Sequence, residues 1–368
     1  MAHPTAYPMR TDHTNFGKSL DGIPSEVKEI VHDITRRRQG VEAGLTHYDA
    51  APETIINTLK EYLTMQKTLE SIKTKVKKSS RLKFKWTSFL SEDKYEVQDV
   101  ESEMTSMLLA AGLWHMEHAN VLNRSITDED EDEQKMKDAV HSLKTSAGIF
   151  DSLDGQSLGC KDIDVMAIRA LRLQSLAEAQ CVTVRRAITK NHKAMLISEL
   201  CHDVASKYCS AAKNIGGDTS SHLKKKWMCY LKFQSEVYFA LARCFQGINL
   251  LEAEDKCGES IVVLRESSKH IEQAKAFAKE YDKLKPKTKV HLDESQQLIR
   301  VKKLINEKQA KSDRENGMIY HQRLPEECLP LYEPKCVVQP TAFHLPDSHD
   351  LTSVQSATDV DASGTDDS

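Results

Sequence analysis

Long stretches with helical spacing, interrupted at few places, are the feature that most constrains the fold of this chain. In residues 51–76 the apolar side chains of Ile55, Leu59, Leu63 and Leu69 form a stripe along one face of a helix. The 368 residues include only 14 glycines and 10 prolines, the residues that end helices and build tight turns. We therefore predict a predominantly all-α protein.

Breaks such as the glycine pair in "NIGGDTSS" separate one predicted helix from the next. Thr127 and Asp130 form an acidic version of a capping box, so one helix is predicted to start at Thr127. The hairpin over 220–282 has the small and aromatic spacing of a tetratricopeptide-like unit. The predicted helices span residues 24–45, 51–76, 97–122, 127–153, 161–189, 192–213, 220–254, 257–282 and 291–314.

One short stretch departs from the helical rhythm. In "RLKFKWTSFL" the apolar residues Leu82, Phe84 and Trp86 alternate with basic ones. A period of two is typical of a strand with one buried face. We predict a small β element here, either a strand or the arm of a hairpin.

Charge and targeting signals exclude several classes of protein. The formal net charge of −4 gives no overall case for binding nucleic acid. No segment has transmembrane length, and the N-terminal arm, residues 1–22, lacks the apolar core of a signal peptide. The nine cysteines include no CxxC pair, which favours reduced thiols in a cytoplasmic protein. Residues 347–368 are acidic and poor in large apolar side chains, so we predict a disordered tail.

The sequence contains no recognisable catalytic motif. A GxSxG elbow, a GxxxxGK[ST] loop and a GxGxxG turn are all absent. His115 and His118 in "WHMEH" could share a metal, but no further Cys/His cluster supplies the remaining ligands. We therefore expect no enzymatic activity, no cofactor and no metal, and we keep a metal site at these two histidines as the alternative.

The basic stretch over residues 73–85 suggests a second kind of surface and an alternative function, that of a peripheral membrane-binding protein. With Phe84 and Trp86 interleaved, its charges could contact an anionic membrane, which contributes about 1 kcal/mol for each Lys or Arg at the surface. The simpler interpretation is a solvated helix end followed by a strand with one wet face. The rest of the chain offers no basic channel for nucleic acid. The residues assigned to this cluster are Lys75, Lys77, Lys78, Arg81, Lys83 and Lys85.

A second segment carries more apolar residues than one stripe needs. After the polar break "TKNHK", the side chains of Met195, Leu196, Ile197 and Leu200 follow closely on one another. Leu196 and Leu200 are four residues apart and share a face. If that face is outward and concave, it would form a groove for an amphipathic helix. Periodicity alone favours the other interpretation, in which both leucines belong to the core.

Five segments of the chain together resemble the Bro-one domain family. They are "KFKWTSFL", "HSLKTSAGIFDSL", "AEAQCVTVRRAI", "EDKCGESIVVLRESSK" and "RENGMIYHQRLP", and the resemblance covers residues 15–346. It implies an elongated, banana-shaped helical domain with a tetratricopeptide-like core and a small β element. It also implies that the chain after the last long helix runs back along the domain.

The resemblance further implies a non-enzymatic adaptor for endosomal sorting and membrane remodelling. Family members bind the C-terminal amphipathic helix of ESCRT-III subunits, the charged multivesicular body proteins of type four and, in some members, type five. The groove positions fall here on Thr183, Leu196 and Leu200, with Glu133 and Lys137 at the rim. This reverses the preference for a core role of the two leucines.

Two further expectations follow from the same resemblance. Tyr320 matches a tyrosine on a second exposed patch, where it would contact a partner or only pack. Some family members end in a prenylation box, whereas this chain ends in "TDDS", so we expect no lipid anchor of its own. We expect a cytoplasmic monomer that its partner recruits to endosomal or other ESCRT-bearing membranes.

Overall fold

Helices that follow one another in the sequence pack side by side through most of the molecule. The computed structural model describes residues 9–14, 16, 25–75, 83–90, 93–126, 132–156, 164–215, 221–287 and 290–344. Within these ranges, no helix is both long and apolar enough to cross a membrane. The elements are α1 (Ser25–Gly44), α2 (Pro52–Lys75), β1 (Phe84–Thr87), β2 (Lys94–Val97), α3 (Val100–Ser125), α4 (Glu133–Ser152), α5 (Val165–Thr189), α6 (Ala194–Ile215), α7 (His222–Glu252), α8 (Cys257–Lys283), α9 (Gln296–Glu315) and a π-helical turn (Asn316–Tyr320).

The predicted helices are confirmed, and a side-chain cap explains the one start that differs most. The Asp132 carboxylate accepts hydrogen bonds from the backbone N–H groups of Gln134 and Lys135, both at 3.0 Å. This cap places the start of α4 at Glu133. The predicted start at Thr127 lies outside the described residues. Asp132, directly before Glu133, therefore supplies the N-cap of α4.

The alternating stretch forms one strand of a short hairpin, as predicted. β1 pairs antiparallel with β2, with Phe84 opposite Val97 and Trp86 opposite Tyr95. Phe84 and Trp86 are fully buried, whereas Lys85 faces solvent. The period of two therefore separates a core face from a wet face.

The N-terminal arm adds an extended segment to this hairpin. The backbone N–H of Thr87 donates to the Arg10 carbonyl at 2.8 Å, and that of Asp12 donates to the Lys85 carbonyl at 3.0 Å. The described residues 9–14 of the arm are thus fastened to β1.

Small side chains let the central helices approach one another closely. The hydroxyls of Ser198 on α6 and Ser267 on α8 donate to the Ala242 and Ala240 carbonyls of α7, at 2.7 and 2.6 Å. These bonds hold α7 between α6 and α8. The predicted hairpin over 220–282 is formed by α7 and α8, and its small residues lie where these helices meet.

After α9 the chain reverses and runs back across the helices. The π-helical turn ends at His321, whose φ of 52° lies in the left-handed region. We call residues 321–344 the strap. It is bonded in turn to α8, α7, α6, α5 and α4, through Gly258 N to Gln322 Oε1 (2.9 Å), Gln246 Nε2 to Pro330 O (2.7 Å), His202 Nδ1 to Tyr332 O (2.7 Å), Gln180 Nε2 to Lys335 O (2.9 Å) and Thr341 N to Lys144 O (3.0 Å).

A glycine makes the last of these contacts possible. A Cβ atom on Gly148 of α4 would lie 1.7 Å from the Thr341 carbonyl oxygen of the strap, so any larger residue would push the strap away. The resemblance implies that the chain returns along the domain. Gly148 of α4 leaves the space that this return needs where the strap crosses the helix.

Candidate functional site

A tight reversal between α5 and α6 brings the predicted groove residues together. Asn191 has a φ of 49°, its N–H donates to the Ile188 carbonyl, and the His192 N–H donates to the Ala187 carbonyl, both at 3.0 Å. These bonds are a Schellman motif with Asn in the left-handed position. The polar break "TKNHK" thus turns the chain so that the start of α6 lies beside the end of α5.

The first of two depressions lies between α4 and the end of α5. We call it the outer depression; its volume is about 260 Å³. Its floor includes the buried side chains of Met136 and Val182, and its edges are mostly charged. It is lined by Glu133, Met136, Lys137, Val140, His141, Lys144, Val182, Thr183 and Arg186.

The second depression lies between α5, α6 and the strap. We call it the inner depression; its volume is about 580 Å³. It shares Thr183 and Arg186 with the outer depression, so the two adjoin, and we call them together the groove. It is lined by Thr183, Arg186, Ala187, Lys190, His192, Leu196, Leu200, Lys335 and Val337.

All five residues assigned to the groove and its rim line these two depressions. Glu133 and Lys137 lie on the outer one, Leu196 and Leu200 on the inner one, and Thr183 lies between them. Their assignment to partner binding stays a prediction, but the structure does bring them to one continuous surface.

The two leucines differ in depth. Leu196 is half-buried, whereas Leu200, one turn later, is only 3% exposed and belongs to the main core. The expectation that both face outward is therefore wrong for Leu200, which forms the floor. A polar substitution of Leu200 would disturb folding as well as the groove, so it cannot serve as a test of binding alone. Met195, which precedes them, is 45% exposed and does not line the groove.

Ion pairs across the outer depression order its rim. The Glu133 carboxylate of α4 accepts from Lys190 Nζ at 3.0 Å and from the Arg186 guanidinium, both on α5 or its cap. Lys190 and then Arg186 hold the pKa of Glu133 below its usual range. Lys137, one turn along α4, is exposed. Apart from Glu133, the charged residues of the groove are all basic.

Arg186, Lys190, Lys335 and Val337 are groove residues that the sequence reasoning missed. Arg186 and Lys190 follow Thr183 at helical spacing, so extending the stripe along α5 could have found them. Lys335 and Val337 carry no such signal, because they reach the groove only through the path of the strap.

Tyr320 lies at the other end of the strap, in the π-helical turn. Its ring is half-buried against Leu251 and Ile261, and its hydroxyl donates to Asp255 Oδ1 at 3.2 Å. Tyr320 therefore packs within the fold, while a contact with a partner stays a prediction. The neighbouring Met318 and Ile319 are 74% and 68% exposed.

Half of the basic cluster lies outside the described residues. Lys77, Lys78 and Arg81 lie there, and Lys75 is the last residue of α2. Lys83 pairs with Glu96 at 2.9 Å, and Lys85 is exposed on β1. Contact of this cluster with an anionic membrane stays a prediction.

The two candidate metal ligands pack as aromatic core residues. Burial lowers the pKa of His115 to about 3, so its ring is neutral. His118 stacks on Trp114 at 5.1 Å between ring centroids, and its Nδ1 lies 2.9 Å from the Ser142 hydroxyl. In the described part of the chain, three potential ligand atoms come within 4.8 Å of one another at Asp282, His291 and Asp293, and not at these histidines.

Comparison with known proteins agrees with this architecture. The family model of the BRO1-like domain matches residues 18–362. The BRO1 domain-containing protein BROX of Danio rerio is 31% identical over 347 residues, which cover 89% of this chain and 83% of that protein.

Two solved structures resemble the fold. The ALIX BRO1 domain in its complex with CHMP4C has a TM-score of 0.69 at 20% identity, over 93% of this chain and 96% of that one. A structure described as the basis for endosomal targeting by the Bro1 domain has a TM-score of 0.68 at 18% identity, over 90% of each chain. These likenesses confirm the predicted all-α, banana-shaped fold class.

Proposed function

This chain belongs to the BRO1-like domain family, and from that premise we propose that it is a non-enzymatic adaptor whose groove binds the C-terminal amphipathic helix of an ESCRT-III subunit. The expected partners are charged multivesicular body proteins of type four or five. The observation that carries the proposal is the geometry of the groove, in which the five assigned residues line two adjoining depressions that meet at Thr183.

The shape and chemistry of the groove suit one face of a helix. Leu196, Val182 and Val337 offer apolar surface along its length, and an amphipathic helix presents apolar side chains at intervals of three and four residues. A few such anchors are expected to dominate the binding free energy, each with a cost of at least about 2 kcal/mol on truncation.

The residue between the two depressions is small. Thr183 is half-buried, and its hydroxyl points back to the Ala179 carbonyl at 3.4 Å. It therefore leaves space where the depressions meet. We assign this space to a large side chain of the partner helix, such as an aromatic ring.

Charges at the rim set the orientation of the partner more than its affinity. Lys137, Arg186 and Lys190 surround the entrance with positive charge, of which Glu133 offsets part. Exposed pairs of this kind contribute about 0–1 kcal/mol each and weaken with salt. The apolar contacts near Leu196 are the ones expected to hold the helix.

Membrane recruitment would come from the partner. ESCRT-III subunits act on membranes, and an adaptor that binds one of them needs no span of its own. A solved relative is described in terms of endosomal targeting by the Bro1 domain, which supports an endosomal location for this chain as well.

A titration tests the proposal. A synthetic peptide of the CHMP4C C-terminal helix is expected to bind the protein, as measured by calorimetry. Leu196→Asp would place a charge in the apolar inner depression and is expected to weaken binding by at least about 2 kcal/mol, or roughly thirtyfold. Because Leu196 is half-buried, the melting temperature should change little.

Met195→Asp is the matched control. Met195 is the preceding residue of α6, is 45% exposed and lies outside the groove lining, so the same charge there should leave affinity unchanged. Equal losses for the two variants, or no binding by the unsubstituted protein to peptides of types four and five, would overturn the proposed function.

A further inference from the structure

A single buried side chain joins the strap to the groove. Gln180 lies on α5, three residues before Thr183, and is fully buried. Its Nε2 donates to the Lys335 carbonyl of the strap at 2.9 Å and to the Leu200 carbonyl of α6 at 3.2 Å. Its Oε1 accepts from the Val337 N–H at 3.1 Å. Every hydrogen-bonding position that this amide needs is therefore occupied.

The two strap residues held by Gln180 are groove residues. Lys335 and Val337 both line the inner depression, and Val337 is 49% exposed while Val338 beside it is only 4% exposed. The Lys335 N–H also donates to the Glu199 carbonyl of α6 at 3.1 Å. This part of the strap is thus bonded to α5 and α6 at once, and it closes the inner depression on one side.

An amide has the bonding pattern that this position requires. The strap pairs with no strand in the described structure, so the Lys335 carbonyl and the Val337 N–H take a side chain as their partner. The Gln180 amide donates to the Lys335 carbonyl and accepts from the Val337 N–H. A neighbouring strand would bond these two backbone groups in the same way. An apolar side chain of similar size would leave the Leu200 and Lys335 carbonyls and the Val337 N–H without these bonds.

We propose that Gln180 is a positioning residue that fixes the strap as one wall of the groove and thereby sets its affinity for a partner helix. This inference rests on the proposed function, because it concerns the same groove. The inference goes beyond the proposed function because it assigns part of the binding affinity to a residue that the partner helix does not contact.

Gln180→Met tests the inference, with Gln246→Met as its control. Methionine is close to glutamine in size and removes the amide without opening a large cavity. Gln246 is also buried and bonds the strap to α7 through the Pro330 carbonyl at 2.7 Å, but it lies away from the groove. The two variants therefore release the strap at different places.

Three measurements are compared on the full chain: the hydrogen exchange of the Val337 amide, the affinity for the CHMP4C helix peptide, and the melting temperature. Gln180→Met is expected to speed exchange at Val337 and to weaken peptide binding at least about tenfold, while the melting temperature falls no further than in Gln246→Met. Gln246→Met is expected to bind peptide within about twofold of the unsubstituted protein. A purely structural role for Gln180 would instead lower both melting temperatures alike and leave affinity unchanged.

The failures of the two proposals are distinguishable. Unchanged exchange at Val337 in Gln180→Met, or fast exchange with unaltered peptide affinity, would overturn the positioning role while the proposed function stands. Absence of peptide binding by the unsubstituted protein would overturn the proposed function and, with it, the affinity part of this inference.

Discussion

The groove and the turn at Tyr320 lie at opposite ends of the strap, and they differ in how they present apolar surface. In the groove Leu196 is half-buried and faces a depression walled by α5 and the strap. At the turn Met318 and Ile319 are 74% and 68% exposed. A partner side chain in the groove would make contacts on several sides, whereas one at the turn would make contacts on one. We therefore propose the groove, and not the more exposed turn, as the binding site.

The largest effect expected within the groove is a loss of stability, which should differ between Leu200 at its floor and Leu196 at its side. Leu200→Ala should lower the free energy of unfolding by about 2–5 kcal/mol, because the leucine is buried in the core and its truncation leaves a cavity. Leu196→Ala should cost clearly less, because part of the Leu196 side chain already faces the open inner depression. Urea denaturation of both variants measures the difference. Equal costs would place both leucines at the same depth.

The helix positions could be predicted from the sequence, whereas the depth of individual groove residues could not. Regular spacing in segments such as Ile55, Leu59 and Leu63 reports which face is apolar. Around Met195 to Leu200 the apolar residues cover more than one stripe, so periodicity leaves open which of them faces outward. Resemblance to a family predicted which residues form the groove but not the burial of Leu200.

The path of the strap explains why the other groove residues could not be predicted from the sequence. Lys335 and Val337 enter the groove only because the chain reverses at His321 and crosses five helices. Each crossing depends on a tertiary hydrogen bond, as at Gln180, and no local pattern encodes such bonds. The same holds for Tyr320, whose ring packs against residues of α7 and α8 that lie far from it in the sequence.

A second prediction concerns α5, the helix that both depressions share. Glu178 is 6% exposed and accepts a hydrogen bond from Gln174 Nε2 at 2.8 Å. Burial raises the pKa of Glu178 to about 7. In the unfolded chain the carboxyl titrates near about 4.3, so the unfolded state loses its proton first as pH rises. Stability is therefore expected to fall between about pH 4 and pH 7, and to stay low above that range.

Glu178→Gln checks this expectation. The variant carries no charge to bury, so its melting temperature should exceed that of the unsubstituted protein at pH 8 and approach it at pH 5. The turn at Tyr320 contains no buried carboxyl, and a neutral change there, such as Tyr320→Phe, should show no such dependence on pH. A pH-independent difference for Glu178→Gln would contradict the assignment of a buried, titrating carboxyl.

The smallest effect is expected at the rim. Lys137→Glu should weaken binding of the CHMP4C helix peptide by less than about 1 kcal/mol, and the loss should shrink as salt is added, because Lys137 is exposed. Lys213→Glu on α6 makes the same charge change at an exposed position outside the groove lining. Calorimetry at low and high salt compares the two. A loss at Lys137 as large as that expected for Leu196→Asp would show that charge rather than apolar contact holds the helix.

Methyl NMR of the protein, recorded with and without saturating CHMP4C helix peptide, tests the central claim most directly. The account predicts shift changes at the methyl groups of Val140, Val182, Leu196 and Val337, which line the groove, and unchanged signals from Met318 and Ile319 at the turn. Changes confined to Met318 and Ile319, with the groove methyls unmoved, would contradict it.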